Sequence, residues 1–200
     1  MGLDILLKKN FNRVPLGLCF ICLGMVFGQI EVWTGRYDGG IDDWDEARAM
    51  TFTPEGDIVM TGFIASTDGF RDIATVKFTT ADGDTVWTRR WVFGSGSREE
   101  AEVIACDSAG NVFVAGWFRT SGVDTNWVTI KYLADGTESW VTTYDSAGGP
   151  DKAVALVPDQ AGGVYVTGYS FNGTNRDYVT IHYLANGIRD WLVRYNGEAN

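Results

Sequence analysis

Histidine is almost missing: His182 is the only one in 200 residues, alongside three cysteines and four prolines. His182 takes the slot that lysine fills in the sister repeats described below, on a polar strand face, so no catalytic role is expected of it. Nucleophile triads and His-based metal centres, which need imidazoles brought beside a nucleophile or one another, fall away with it. Two of the cysteines, Cys19 and Cys22, lie in an N-terminal apolar stretch. That leaves Cys106 without an internal disulfide partner. It aligns with Phe52 and Pro158 of the other repeats and reads as an interchangeable small hydrophobe.

Basic residues are also scarce, 16 Lys and Arg against 26 Asp and Glu, for a formal net charge of -10. Binding to phosphate backbones is driven by Lys and Arg with release of counterions, so neither nucleic acid nor an anionic membrane is an expected partner. The ordinary consequence of the charge is solubility; an acidic binding surface is the alternative.

A long apolar run is lacking too. The longest covers residues 14–27, preceded by Lys8, Lys9 and Arg13, and falls short of a membrane span. A positive region, a short apolar run and small or aliphatic residues at Val26 and Gly28 match a secretory signal over residues 1–28, cleaved after Gly28. An uncleaved N-terminal anchor is the alternative. Leu18 precedes Cys19 and Ile21 precedes Cys22, whereas a lipoprotein site would need a small residue there. The expected location is secreted or cell-surface, with no span in the mature chain.

What the chain has in quantity is Gly (25), Trp (8) and Tyr (8), arranged in a repeat. Residues 177–191 read DYVTIHYLANGIRDW, residues 126–140 read NWVTIKYLADGTESW, and residues 72–87 carry a variant one residue longer. Trp33, Trp87, Trp140 and Trp191 mark periods of 54, 53 and 51 residues, the length of a stacked supersecondary unit. Each period holds four strand signals. The first is rich in small residues and begins at Ala47, Ala101 and Ala153. The second is nearly continuously apolar, as for a strand covered on both faces, and ends in Gly62-Phe63, Gly116-Trp117 or Gly168-Tyr169. Its glycine is expected to admit a close neighbouring strand. The third alternates, with Val128, Ile130 and Tyr132 opposite Thr129 and Lys131. The fourth carries aromatics four apart (Trp87/Trp91, Trp140/Tyr144, Trp191/Tyr195), expected to wedge between units. Tight glycine turns join strands one to two and three to four. The other connections are longer and vary between copies, so function is expected at their end.

These features resemble the bacterial seven-bladed β-propeller repeats known as SBBP repeats. The resemblance rests on an acidic residue before the first-strand Ala, on the turns at Asp107 to Asn111 and Asp159 to Gly163, on Val-x-Val-x-Gly, and on the Asp-x-x-Thr-Ile-x-Tyr…Gly…Trp tail. It covers about residues 33–195; copy one departs from it with Pro54-Glu55 in the turn and an insertion before Trp87. It implies an all-β propeller of four-stranded antiparallel blades within residues 29–200, over residues 47–92, 101–144 and 153–195. Residues 32–37 would be an orphan outer strand completing the last blade. Three blades and a spare strand imply part of a ring of about 300 to 420 residues, and end blades that would self-associate if they existed alone. A weaker resemblance is to quinoprotein dehydrogenase propellers, which stack a quinone on Trp and ligate Ca²⁺; no such residue set is found here.

Two groups of candidate site residues follow. Asp45, Glu99 and Asp151 align two residues before the first-strand Ala. They would either ring a channel mouth as a cation site, Ca²⁺ being the fitting ion, or fix the loops by accepting backbone N–H bonds. Phe70, Arg71, Phe118, Arg119, Phe171 and Asn172 lie in the variable loops, which would bind a protein, peptide or glycan or be ordinary solvated connections. The reading is an exported propeller module with a binding or structural role, no cofactor and no catalysis of its own. The alternative is part of a carbohydrate-active or quinone-dependent propeller enzyme completed by further blades.

Overall fold

A computed structural model of the chain describes residues 33–39, 44–146 and 148–197. The expected leader and its cleavage point, the start of the first strand at Val32, and Asp42 and Asp43 of the acidic connection lie outside the described residues. Within residues 33–197 the described chain is all β, with no helix long and apolar enough to cross a membrane.

Twelve strands form three four-stranded antiparallel sheets in chain order. The first sheet holds β1 (Glu46–Phe52), β2 (Ile58–Ala65), β3 (Arg71–Phe78) and β4 (Thr85–Trp91). The second holds β5 (Arg98–Cys106), β6 (Val112–Arg119), β7 (Asn126–Tyr132) and β8 (Glu138–Tyr144). The third holds β9 (Lys152–Pro158), β10 (Val164–Phe171), β11 (Arg176–Tyr183) and β12 (Arg189–Tyr195). Each strand pairs with its sequence neighbour, so short turns suffice throughout. The second sheet packs on the first through β5 against β1, β2 and β3. The third packs on the second through β9 against β5, β6 and β7.

The apolar pattern explains this stacking. Along β6, Val112 and Val114 enter the core shared with Val59, Ile73 and Trp87 of the first sheet, while Phe113 and Ala115 enter the core shared with Val164, Val166 and Val179 of the third. A strand buried on both faces must be apolar along its covered length, and β6 is from Val112 to Phe118, with Arg119 at its end. β10 includes Thr167 and Ser170 among its apolar residues, and one of its faces is exposed at Tyr165. Thr129 and Lys131, on the polar face of β7, are buried as well because the third sheet lies over them. The Lys131 ammonium is satisfied by the Gly162 carbonyl at 2.7 Å.

Two glycine positions set the geometry of every sheet. Gly62, Gly116 and Gly168 each lie opposite an irregularity in the first strand, at Ala47, Ala101 and Ala153. A Cβ on Gly116 would sit 2.1 Å from the Glu100 carbonyl oxygen, and the sister positions are equally closed. The second position lies in the hairpin between strands three and four, where Gly136 and Gly187 have φ of 82° and 81°. Each hairpin is a three-residue loop with the glycine N–H returning to the residue before the loop, as at Gly136 to Leu133, 2.8 Å. In copy one the loop is a residue longer, Thr79 N–H reaching the Asp84 carbonyl and Gly83 N–H still returning to Thr79 at 3.2 Å. That is the insertion seen before Trp87.

These hairpins receive the tryptophan of the preceding unit. Trp87 donates its indole N–H to Ala134 at 3.3 Å and lies on Gly136; Trp140 donates to Ala185 at 2.9 Å and lies on Gly187. Trp33 does the same at the first sheet, donating to Thr80 at 3.0 Å and lying on Gly83. Residues 33–39 are in no strand of these three sheets; the strand expected at 32–37 would complete a further blade. An outer strand needs the free edge of a third strand, and in all three sheets that edge already carries its own fourth strand. Trp191 is left 39% exposed and Tyr195 61%, against 7% for Trp87.

Gly116→Ala is expected to destabilise the protein by about 1–3 kcal/mol, because backbone must move to admit the methyl. Gly94→Ala, where an added Cβ meets nothing within 4 Å, should leave the urea midpoint nearly unchanged. Equal midpoints for the two variants would refute this account.

Candidate functional site

The glycine hairpins share one end of the sheets and the variable connections the other. At the hairpin end His182 lies between Asp159 (2.9 Å) and Asp190 (3.0 Å), stacked on Tyr165. Its pKa is raised: burial opposes the charge, and the two carboxylates outweigh burial. Asp159 meanwhile accepts the N–H groups of Ala161 and Gly163, both at 2.7 Å. This is a turn brace linking β9–β10 to β11. At the opposite end the connections are shorter than the sequence implied, namely residues 66–70, 120–125 and 172–175, because β6 runs on through Arg119 and β10 through Phe171. For the same reason β5 takes in Arg98, Glu99 and Glu100.

The three aligned carboxylates are each engaged locally. Asp45 accepts the N–H groups of Gly39 and Ala65, both at 2.8 Å. Asp151 accepts those of Ser146 (2.9 Å) and Phe171 (2.8 Å). Glu99 accepts the Phe93 N–H at 3.2 Å and the Ser97 hydroxyl. Each therefore ties the incoming connection to its own sheet, the loop-fixing role open to an acidic side chain there. Among the described residues no group of three or more His, Cys, Asp or Glu is placed to hold a metal ion.

Glu99 differs from its counterparts. It is fully buried, Oε2 receives no hydrogen bond, and its carboxyl is pushed up to about 7. Burial is the main cause, and the Asp72 carboxyl beside it adds to the rise. The Ser97 hydroxyl and Phe93 N–H oppose it. Asp72 in turn is paired with Arg90, which also donates to Ser66 at 2.8 Å. Neither acid reaches solvent. Cys106 is partly buried; burial, then Asp107, pushes its thiol up to about 11, leaving little thiolate for chemistry.

The loop candidates separate into two groups. Phe70, Arg71 and Arg119 line one cleft of about 340 Å³, together with Trp44, Arg98, Ala65 and Gly69. Arg71 lies over the Phe63 ring at 4.0 Å and the Trp44 ring at 5.3 Å. Glu100, almost wholly buried, is shared by Arg71, Arg98 (2.8 Å) and Arg48 (3.4 Å). The other three candidates are occupied elsewhere. Phe118 is buried and stacked on Phe93, centroids 4.2 Å apart. Phe171 packs over Gly149. Asn172 closes its own turn, accepting from Thr174 and Asn175 (2.9 Å each) and donating to Asp177 at 3.0 Å. Sequence reasoning missed Trp44 and Arg98. The available signal was misfit to the repeat, since the aligned positions read Trp44, Arg98, Pro150 and Ala65, Arg119, Phe171.

No protein-family model matches the chain, and no curated protein matches it.

Because the folded carboxyl of Glu99 holds its proton to about pH 7 while an unfolded glutamate releases it near pH 4.5, the folded state binds the extra proton between those values. Its stability falls as pH rises through that window. Glu99→Gln should remove this loss and, at pH 8, unfold later in urea by on the order of 2–3 kcal/mol. A wild-type stability that is flat from pH 5 to 8 would contradict the assignment.

Proposed function

We propose that the chain is an exported or cell-surface module of β-propeller type, akin to the SBBP repeats it resembles, that binds a partner at its loop end and does no catalysis. The observation that carries the reading is the repeated interface. One rule, an indole laid on a hairpin glycine with its N–H on a nearby carbonyl, joins the first sheet to the second and the second to the third. A third sheet that still presents Trp191 and Tyr195 fits a stack in which further sheets follow by the same rule. The binding role is supported by the contrast between the two ends: braced glycine hairpins at one, and at the other a cleft lined by arginine and aromatic side chains.

The non-catalytic reading is supported by where the acids lie. Asp72 and Glu99, the adjacent acids with one raised pKa, are 2% and 0% exposed, so no substrate touches them without unfolding the junction. No cofactor is proposed, because Asp45 and Asp151 already spend their oxygens on backbone N–H groups.

Glycan and peptide arrays should return a ligand whose binding is weakened by Phe70→Ala and unchanged by Asp135→Ala in the hairpin at the opposite end. The reverse pattern would overturn the placement. Hydrolase and dehydrogenase screens should show no turnover, and calcium or chelator should leave the melting temperature where it was. Turnover abolished by Asp45→Asn would overturn the non-catalytic reading.

A further inference from the structure

We infer that the cleft between the first and second sheets is a carboxylate-binding site, with Arg119 and Arg98 as its anion-holding pair and Trp44 and Phe70 as its apolar wall. The argument begins with a local misfit. Arg98 and Arg119 lie directly across the β5–β6 ladder from one another, and like charges facing each other across a strand pair are destabilising. The repeat does not require them: the aligned pairs are Trp44 with Ala65 in the first sheet and Pro150 with Phe171 in the third. The cost is therefore specific to this junction.

The fold offsets it only in part. Glu100 is one carboxylate shared among Arg48, Arg71 and Arg98, and the one other acid paired with these arginines among the described residues, Glu46, meets Arg48 at 3.2 Å. Among the described residues four guanidinium groups thus face two carboxylates, on a chain whose net charge is -10. The Arg119 side chain, half-buried, has no hydrogen bond or ion pair among the described residues. Its five N–H donors in a planar fork match a carboxylate in bidentate geometry.

The surroundings narrow the ligand class. Trp44 and Phe70 give the cleft flat apolar faces beside the charge, and about 340 Å³ suits one small ring rather than an extended polymer in cross-section. The ligand chemistry is a carboxylate carried on a ring with an apolar face, supplied either by a uronic acid sugar or by an aromatic acid. Trp44 and Arg71 are already in cation–π contact, so a bound ring adds to a stack that exists.

The inference rests on the loop-end binding reading for its location. The test uses the full chain in low-salt buffer, with galacturonate, galactose, benzoate and inorganic phosphate followed by isothermal titration and by Trp fluorescence. Galacturonate or benzoate should bind and galactose should not, whichever of the two acids is tighter naming the source. Arg119→Ala, which breaks no bond within the protein, should weaken binding by about tenfold or more, the loss of a charged hydrogen-bond pair. Arg119→Lys should recover only part, since an ammonium lacks the fork. Absence of binding by both acids, equal binding of galactose, unchanged affinity in Arg119→Ala, or phosphate as tight as either acid would each overturn it. A glycan array returning only neutral ligands would leave the loop-end reading standing while removing this one.

Discussion

The indole-on-glycine contact between successive sheets is the constraint on which the rest of the structure depends. A four-stranded antiparallel sheet with two apolar faces cannot be stable alone, since it must cover both. Covering them with copies of itself requires a fixed offset from one sheet to the next. Trp87 and Trp140 fix that offset twice over. The ring fills the space left by a missing Cβ at Gly136 or Gly187, and the N–H finds one particular carbonyl. The contact is steric and directional together, so a shift of one residue in either partner loses both halves. Once it is made, the alternation of β6 and β7 follows, because residues of both parities have a neighbour to meet.

The interior polar groups obey the same logic of placement. Lys131 is buried because the third sheet lies on its face, and it is tolerated because that sheet brings the Gly162 carbonyl to 2.7 Å. His182, at the corresponding position on the last sheet, faces no further sheet and uses the carboxylates of its own, Asp159 and Asp190. The same slot thus holds a cation that reaches across a junction in one copy and a ring clamped within a sheet in another. Glu99 shows the cost of burial without full pairing. Burial first, and then the neighbouring Asp72 carboxyl, push its carboxyl up to about 7, and Oε2 has no hydrogen-bond partner.

Much of this was legible in the sequence, for physical reasons that can be named. Strand positions, sheet grouping and hairpin glycines follow from period-2 alternation and from Gly at fixed offsets, local properties that a chain displays openly. The closed approach at Gly62, Gly116 and Gly168 was legible because one residue type without a Cβ recurs before an aromatic. The loop-fixing use of Asp45 and Asp151 was one of two readings the alignment allowed. Trp33 has the composition of a fourth strand, and none of the three sheets leaves a third-strand edge open beside it. The cleft was half legible. Phe70, Arg71 and Arg119 fall in variable segments, whereas Trp44 just precedes β1 and Arg98 opens β5, and they join the others only through packing between sheets. Phe118 and Phe171 read as loop residues but are held by burial and by a strand extension that alternation alone does not delimit.

The hairpin glycine and the tryptophan that follows it lie four residues apart in every copy: Gly83 and Trp87, Gly136 and Trp140, Gly187 and Trp191. One short segment therefore carries the socket for the preceding unit and the plug for the next. A gene that duplicates this repeat in tandem copies both halves of the junction at once, and any new copy is born compatible with its neighbours on either side. The connections at the other end take no part in that fit and can diverge without disturbing it. Lengthening such an array and diversifying its binding surface are thereby separate genetic events.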